Sequence, residues 1–253
     1  MIKKINLENA IVLGVGFGVI LFFYLFRREL STAWFNAASM LIVLVGTFCA
    51  ACLNFSFAKV LRAFGAAKKL FLKKPDTTQK DIQLLMEFVK FARNNGVLAL
   101  SSMVNLVENK FMKKCLKTAI DEDHDDIFEK KLEAHLGEEN KEDSVNIDIF
   151  EELGGYAPTF GIVGAIVGLI HVTSSTSDIQ ALMPGIAAAF CATLWGLALA
   201  NLVFLPISGN LKNELRDKIT FQNAILKGVR SIYHNQSHLL LQDDLRDYIK
   251  YEL

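Results

Sequence analysis

The groups best placed to do chemistry are a handful of polar side chains set inside long apolar runs: Thr47, Asn54, Thr159, His171, Thr193 and Asn201. The hydroxyl oxygen of Thr193 could line the path of a passing ion. A proton or cation path through a membrane, however, normally includes a buried ionisable group as its relay. None of the apolar runs contains Asp, Glu, Lys or Arg. His171 is the titratable candidate besides thiols and phenols, and it lies near the end of its run, where an interfacial histidine is the simpler assignment. If ions cross here, another chain must supply the carboxylate. Cys49 and Cys52 form a C-x-x-C, a spacing used for redox and zinc chemistry. It lies in an apolar helix with no histidine or second cysteine pair nearby, so small apolar packing residues are the better reading. His124 among carboxylates in "DEDHDDIFEKKL" offers a metal site on paper, and a solvated acidic helix start accounts for it better. No nucleophile–base pair and no nucleotide-binding motif is visible, so the chain does not read as an enzyme and implies neither cofactor nor metal.

The elements that hold these groups follow from composition. The chain has 253 residues, 52% of them apolar, which is greasy for a soluble domain of this size. A bilayer core takes about 20 predominantly apolar residues in a helix. Four runs qualify, at 10–26, 34–57, 156–173 and 182–207. The alternation of a membrane β-barrel is absent from them. The expected fold is therefore all-α, a polytopic membrane protein with four transmembrane helices and a helical insert outside lipid. Lys3 and Lys4 precede the first run without a small-residue cleavage site, which reads as an uncleaved span. The expected division is 1–58 for spans one and two, 59–153 for the insert, 154–208 for spans three and four, and 209–253 for a C-terminal helical tail. Lys+Arg and Asp+Glu both total 27, which gives no case for nucleic acid. Local charge says more: Lys59, Arg62, Lys68, Lys69, Lys73 and Lys74 follow span two, and Lys212, Arg216 and Lys218 follow span four. The turn between spans three and four, "SSTSDIQ", has no basic residue. The positive-inside rule then puts the insert and both termini in the cytoplasm, although Arg27 and Arg28 fall in the short outer turn.

Within the insert, Ile82, Leu85, Met86 and Val89 keep helical spacing, Gly96 breaks or bends the run, and Leu100, Val104, Val107 and Phe111 continue one face. Ile127, Phe128, Leu132 and Leu136 form a further helical face. Spans three and four are crowded with small residues: Gly161, Gly164, Ala165 and Gly168, then Gly185, Ala187, Ala188, Ala189, Ala192 and Gly196. Small residues let helices approach closely in lipid. With both spans so small, the expectation is a docking surface for a further helix, with packing inside the chain as the alternative. Pro158 reads as a first-turn proline of span three or a hinge, and Pro206 as a bend or exit at the end of span four.

Together these features resemble the motor-stator branch of the MotA/TolQ/ExbB proton-channel family. The resemblance runs over essentially the whole chain. It is carried by the four-span layout and by "SMLIVLVGTFCA", "YAPTFGIVGAIVGLI" and "MPGIAAAFCATLWGLALANLVFLPI". It implies a multi-pass protein of the bacterial inner membrane, in contact with membrane lipid. It also implies a homopentamer around two copies of a MotB-like partner, whose helix brings the ion-binding Asp. By position it implies conformational roles for Pro158 and Pro206 and pore-lining roles for Thr193, Ala165 and Thr159. Ala165 favours H+ over Na+ as the transported ion. Arg93 falls where family members carry a basic residue that pushes the rotor protein FliG, with Lys90 on the same segment and Glu87 or Glu108 as the acidic group that would act there instead. Ser101 stands where the family carries an acidic rotor contact. That departure keeps open a non-flagellar load such as gliding, envelope energisation or defence.

Overall fold

The computed structural model is described for residues 37–70, 78–175 and 179–236, where every regular element is a helix. The first expected span, with Arg27 and Arg28, lies outside the described residues, as do 237–253 of the expected tail. In chain order the α-helices are α1 (Ala37–Asn54), α2 (Phe57–Leu70), α3 (Thr78–Asn95), α4 (Lys110–Asp121), α5 (Asp125–Ser175), α6 (Ile179–Leu199) and α7 (Leu205–Tyr233). Two 3₁₀ segments, Val97–Ser102 and Val104–Leu106, join α3 to α4, and a π-helical turn, Ala200–Phe204, joins α6 to α7. Among the described residues three helical stretches are long and apolar enough to cross a membrane: α1, a stretch within Asp125–Ser174 and a stretch within Gly185–Tyr233. The protein is thus an all-α polytopic membrane protein.

The chain divides into two compact units, one made of Met1–Lys73 with Ser144–Lys212, the other of Lys74–Asp143 with Asn213–Leu253. The second unit is a water-type core. Ile82, Leu85, Phe88 and Val89 of α3 and Met112, Cys115 and Leu116 of α4 are buried together with Phe128 and Leu132 of α5. Ala224, Ile225, Val229 and Ile232 of α7 complete the core. The α7 helix is therefore core-forming, a role its 3–4 residue spacing of Ile225, Val229 and Ile232 carries in the sequence. Gly96 ends α3 with φ +84°, a left-handed conformation that glycine adopts without strain, and its amide bonds the Ala92 carbonyl at 2.7 Å. Leu100, Val104 and Val107 are buried as expected, but on 3₁₀ segments and an extended link rather than on a continued α-helix. Asn109 caps α4 by accepting from the Met112 amide at 3.1 Å, and its amide donates to buried Asp81 at 2.8 Å, tying the start of α3 to the start of α4. Burial among apolar neighbours pushes the Cys115 thiol up to about 12, so it is inert packing.

In the first unit, α1 buries Ser39, Val43, Thr47 and Ala51 at four-residue spacing and packs on α6, where the Ser39 hydroxyl donates to the Ala188 carbonyl at 2.9 Å. The α2 helix buries Val60, Ala63 and Ala67, with Phe64 edge-on to Phe150 of α5 at 5.3 Å between ring centres. Cys49 and Cys52 are free thiols, Cys49 exposed.

Candidate functional site

The small residues of α5 and α6 face each other. A methyl group built on Gly196 would lie 2.5 Å from the Ala157 carbonyl oxygen and 3.1 Å from the Gly161 Cα. One built on Gly161 would lie 3.0 Å from the Ala192 carbonyl oxygen and 3.2 Å from the Thr193 Cα. One on Gly164 would meet the Ala192 Cβ at 3.1 Å, and one on Gly168 the Ala189 Cβ at 3.6 Å. Further along, Val172 occupies the space beside Gly185. As α5 numbers rise, the α6 partners fall, so this is an antiparallel seam with backbone against backbone. The expectation that these glycines dock a further helix is corrected here. Their free side is taken by the neighbouring span of the same chain, because two runs equally poor in side-chain volume are each other's best-fitting surface. Gly46 of α1 joins the arrangement by leaving room for the Phe160 ring.

The seam decides what the two spans present outward. Ile162, Val163, Ile166, Val167 and Ile170 of α5 are exposed, as are Phe190, Leu194 and Leu197 of α6. Thr193 is half-buried, and its backbone lies at the level of Gly161, so α5 carries Thr159 and Ala165 on either side of that level. Ala165 is half-buried and Thr159 exposed, its hydroxyl donating to the Tyr156 carbonyl at 2.7 Å. These three residues therefore share one region of the α5–α6 pair. Pro158 lies inside α5, far from its first turn. The first-turn reading thus gives way to an interior proline, which removes the amide that would bond the Gly154 carbonyl. The helix survives because α5 runs unbroken through "EELGGYAPTF", held by Leu205 packed over Gly154 and by the Lys212–Glu151 ion pair. Pro206 follows the π-turn, where the Leu205 amide bonds the Ala200 carbonyl. Nothing in the residue pattern marks this turn beyond the proline itself; π-turns inside α-helices recur at functional positions.

The charged candidates lie in the second unit. Glu87, Lys90 and Arg93 are exposed on one face of α3, three residues apart. Ser101 is exposed on the first 3₁₀ segment and Glu108 on the link before α4, so those two belong to other elements. Several other charged side chains of this unit form ion pairs. Arg230 donates twice to Glu129, Nε to Oε1 at 2.9 Å and Nη2 to Oε2 at 2.7 Å, which holds the Glu129 carboxyl below its usual range. Lys218 reaches Asp143 at 2.8 Å, and Lys114 reaches Glu138 at 2.7 Å. The Thr118 hydroxyl donates to the Lys114 carbonyl at 3.1 Å. Its contact with His135 Nε2 at 3.0 Å is then one in which the ring N–H donates. His135 Nδ1 is left buried without a partner. Burial, then the nearby Lys114, holds the His135 pKa below its ordinary value. His124 is exposed, and among the described residues no group of three or more His, Cys, Asp or Glu could hold a metal ion.

With this geometry in hand, the likeness to known proteins is extensive. The profile of the MotA/TolQ/ExbB proton channel family matches residues 103–223. The chain is 28% identical over 214 residues to the chemotaxis protein PomA of Vibrio alginolyticus, covering 85% of this chain and 84% of that one. It is 26% identical over 215 residues to motility protein A of Bacillus subtilis, covering 85% and 80%. The flagellar MotAB stator complex from Bacillus subtilis contains a chain that matches with a TM-score of 0.79 at 25% identity, over 98% of this chain and 99% of that one.

Proposed function

Since the chain belongs to the MotA/TolQ/ExbB proton channel family, whose members are channel and stator proteins rather than enzymes, we propose that it is the stator subunit of an ion-driven rotary motor. With a MotB-like partner it forms a channel in the bacterial inner membrane that converts ion flux into torque on the flagellar rotor. The observation that carries this is an absence: the membrane-crossing stretches of α1, α5 and α6 hold no Asp, Glu, Lys or Arg. An uncharged wall with half-buried Thr193 beside it can guide an ion, and the partner's Asp must carry the proton. Five copies surround two partner helices. Because the glycines are spent inside the chain, the surface offered to neighbours is aliphatic, with Ile162, Ile166 and Leu194 exposed. Such a surface contacts another helix without the close interlock that a glycine seam makes, which suits motion of the ring around its axis. Ala165 supports H+ over Na+. The basic residues after α1 and at the start of α7 support a cytoplasmic location for the second unit and both termini. There Glu87, Lys90, Arg93 and Glu108 meet the rotor protein FliG.

Deletion of the gene tests the reading: swimming stops while filaments remain. Normal swimming overturns the flagellar load. Thr193→Ile abolishes proton leak through a complex whose partner lacks its plug, while the complex still purifies intact. Loss of the complex itself would make Thr193 structural. Sodium dependence of that leak would overturn the proton assignment. A non-flagellar load is favoured by one observation, the exposed Ser101 where an acidic rotor contact is expected. The domain carried by the neighbouring MotB-like chain separates the two loads.

A further inference from the structure

The sequence of α4, KFMKKCLKTAID, sets Lys110, Lys113, Lys114 and Lys117 on one face, opposite buried Met112, Cys115 and Ala119. Lys110, Lys114 and Lys117 are exposed and Lys113 is half-buried. Lys114 is held by Glu138 of α5 at 2.7 Å. Lys113 Nζ donates to the Asn105 carbonyl at 3.3 Å, which brings the second 3₁₀ segment beside this face. That segment ends on Leu106, 72% exposed. Among the described residues no ion pair engages Lys110 or Lys117.

The last described helix finishes at the same end of the unit as α4. The α4 helix and the first turns of α5 run antiparallel, since Lys114 meets Glu138, Thr118 meets His135 and Lys131 pairs with Glu122. The α7 helix closes on those same turns: Arg230 grips Glu129, and the Tyr233 ring stacks on Phe128 at 3.9 Å between centres. There Asn235 takes a left-handed φ of +52°. The Gln236 amide bonds the Ser231 carbonyl at 2.9 Å, and the Asn235 amide bonds the Ile232 carbonyl at 3.3 Å. This pattern terminates a helix and turns the chain off its axis. The chain therefore leaves α7 with the lysine face of α4 running back from its point of departure.

The sequence that follows suits that face. Residues 236–242, QSHLLLQ, hold no Asp, Glu, Lys or Arg, which avoids repulsion by the acidic residues 122–126. Beyond them Leu241, Leu245, Tyr248 and Ile249 keep the spacing of an amphipathic helix. At that spacing Asp244 borders the apolar stripe, Glu252 falls within it, and Arg246 and Lys250 lie behind it. As a helix, residues 237–253 would be about 25 Å long, against about 18 Å for the 12 residues of α4. Asp244 and Glu252 would stand about 12 Å apart along the axis, and Lys117 and Lys110 stand about 10 Å apart along theirs.

We propose that residues 239–253 dock on the lysine face of α4 in the same chain, as an amphipathic helix antiparallel to α4. Its apolar stripe lies on the lysine stems and on Leu106, Asp244 reaches Lys117 and Glu252 reaches Lys110. While docked, the segment withdraws this basic face from other acidic partners. The contact is made within one unit and is independent of the motor reading.

The full chain, purified in detergent as the assembly it forms, tests it. A photoreactive benzophenone amino acid replaces Tyr248, and the illuminated protein is sized under denaturing conditions and mapped by peptide mass. The expected product has the mass of one chain, with the crosslink in residues 104–117. Lys110→Glu combined with Lys117→Glu should lower its yield roughly fivefold. Adding Asp244→Lys and Glu252→Lys to that variant should restore it, which also shows that the lysine reversals leave α4 folded. Salt at about 1 M, which shortens the screening length to about 3 Å, should lower the yield with all four charges native. A crosslinked pair of chains would assign the face to a second copy and overturn the proposal. A one-chain product mapped outside 104–117, or no crosslink at all, would overturn it as well, as would a yield indifferent to the charge reversals. None of these readouts depends on ion flow or motility, so a failed stator assignment would leave them unchanged.

Discussion

The two units solve the packing problem in opposite ways. The second puts large side chains inside and charges outside: Phe88, Phe128, Leu85, Leu116 and Ile225 are fully buried, while Glu87, Lys90 and Arg93 face out. The first reverses this across α5 and α6, with Ala157, Gly161, Ala192 and Gly196 inside and isoleucines outside. The difference is one of solvent. In water, burying a large apolar side chain contributes about 1.5–3 kcal/mol, so bulk belongs in the core. Between lipid tails that gain is absent, and what remains is van der Waals contact and the close approach of backbones. Glycines therefore line the whole α5–α6 seam of the first unit, whereas in the second unit Gly228 makes room for the large Leu85 side chain in a core filled mainly by bulk.

Substitutions that exchange the two rules test this contrast. The largest effect is expected from Gly196→Leu. Its Cβ would fall 2.5 Å from the Ala157 carbonyl oxygen, a backbone atom that cannot step aside. The loss should exceed about 4 kcal/mol, and the purified protein should fail to run as a single species on size exclusion. Leu85→Ala, at a fully buried site against Gly228, should cost about 2–5 kcal/mol in chemical denaturation, because the pocket it leaves is lined by rigid neighbours. A smaller effect is expected from acid. The folded state lowers the His135 pKa, so the unfolded chain binds the proton more readily. Stability is then complete above about pH 6.5 and declines as pH falls from there towards the lower folded value. His135→Gln keeps a donor for Thr118 and should flatten that part of the denaturation midpoint plotted against pH. An unchanged slope would show that another group titrates. The smallest change is expected from Gly155→Ala, where an added methyl meets nothing within 4 Å. Helix propensity alone predicts a gain of up to about 1 kcal/mol, visible as a slightly higher melting temperature. A loss comparable to Gly196→Leu would mean that Gly155, too, is used for contact.

Much of the candidate site was legible in advance. The apolar runs and their missing charges are local properties, and Thr193 and Thr159 stood out as polar groups within them, whereas Ala165 and the charged positions of α3 came from the resemblance to the family. Pro158 was misplaced in its helix because Gly154 and Gly155 look like a stop. Nothing nearby in the chain shows that Leu205 and Lys212 will brace that segment from the other side. The π-turn before Pro206 left no pattern to find, since its extra residue changes hydrogen bonding and not composition.

Hydropathy and helical spacing, summed over neighbouring residues, were enough to give the all-α, membrane-crossing class. Which surface fills a glycine face was decided only in three dimensions. So were the fold-back of α2 on Phe48 and the closure of the second core by α7. Each of these depends on a partner far away in the chain, and a pattern read along one helix fixes the shape of its face but not the identity of what fits it.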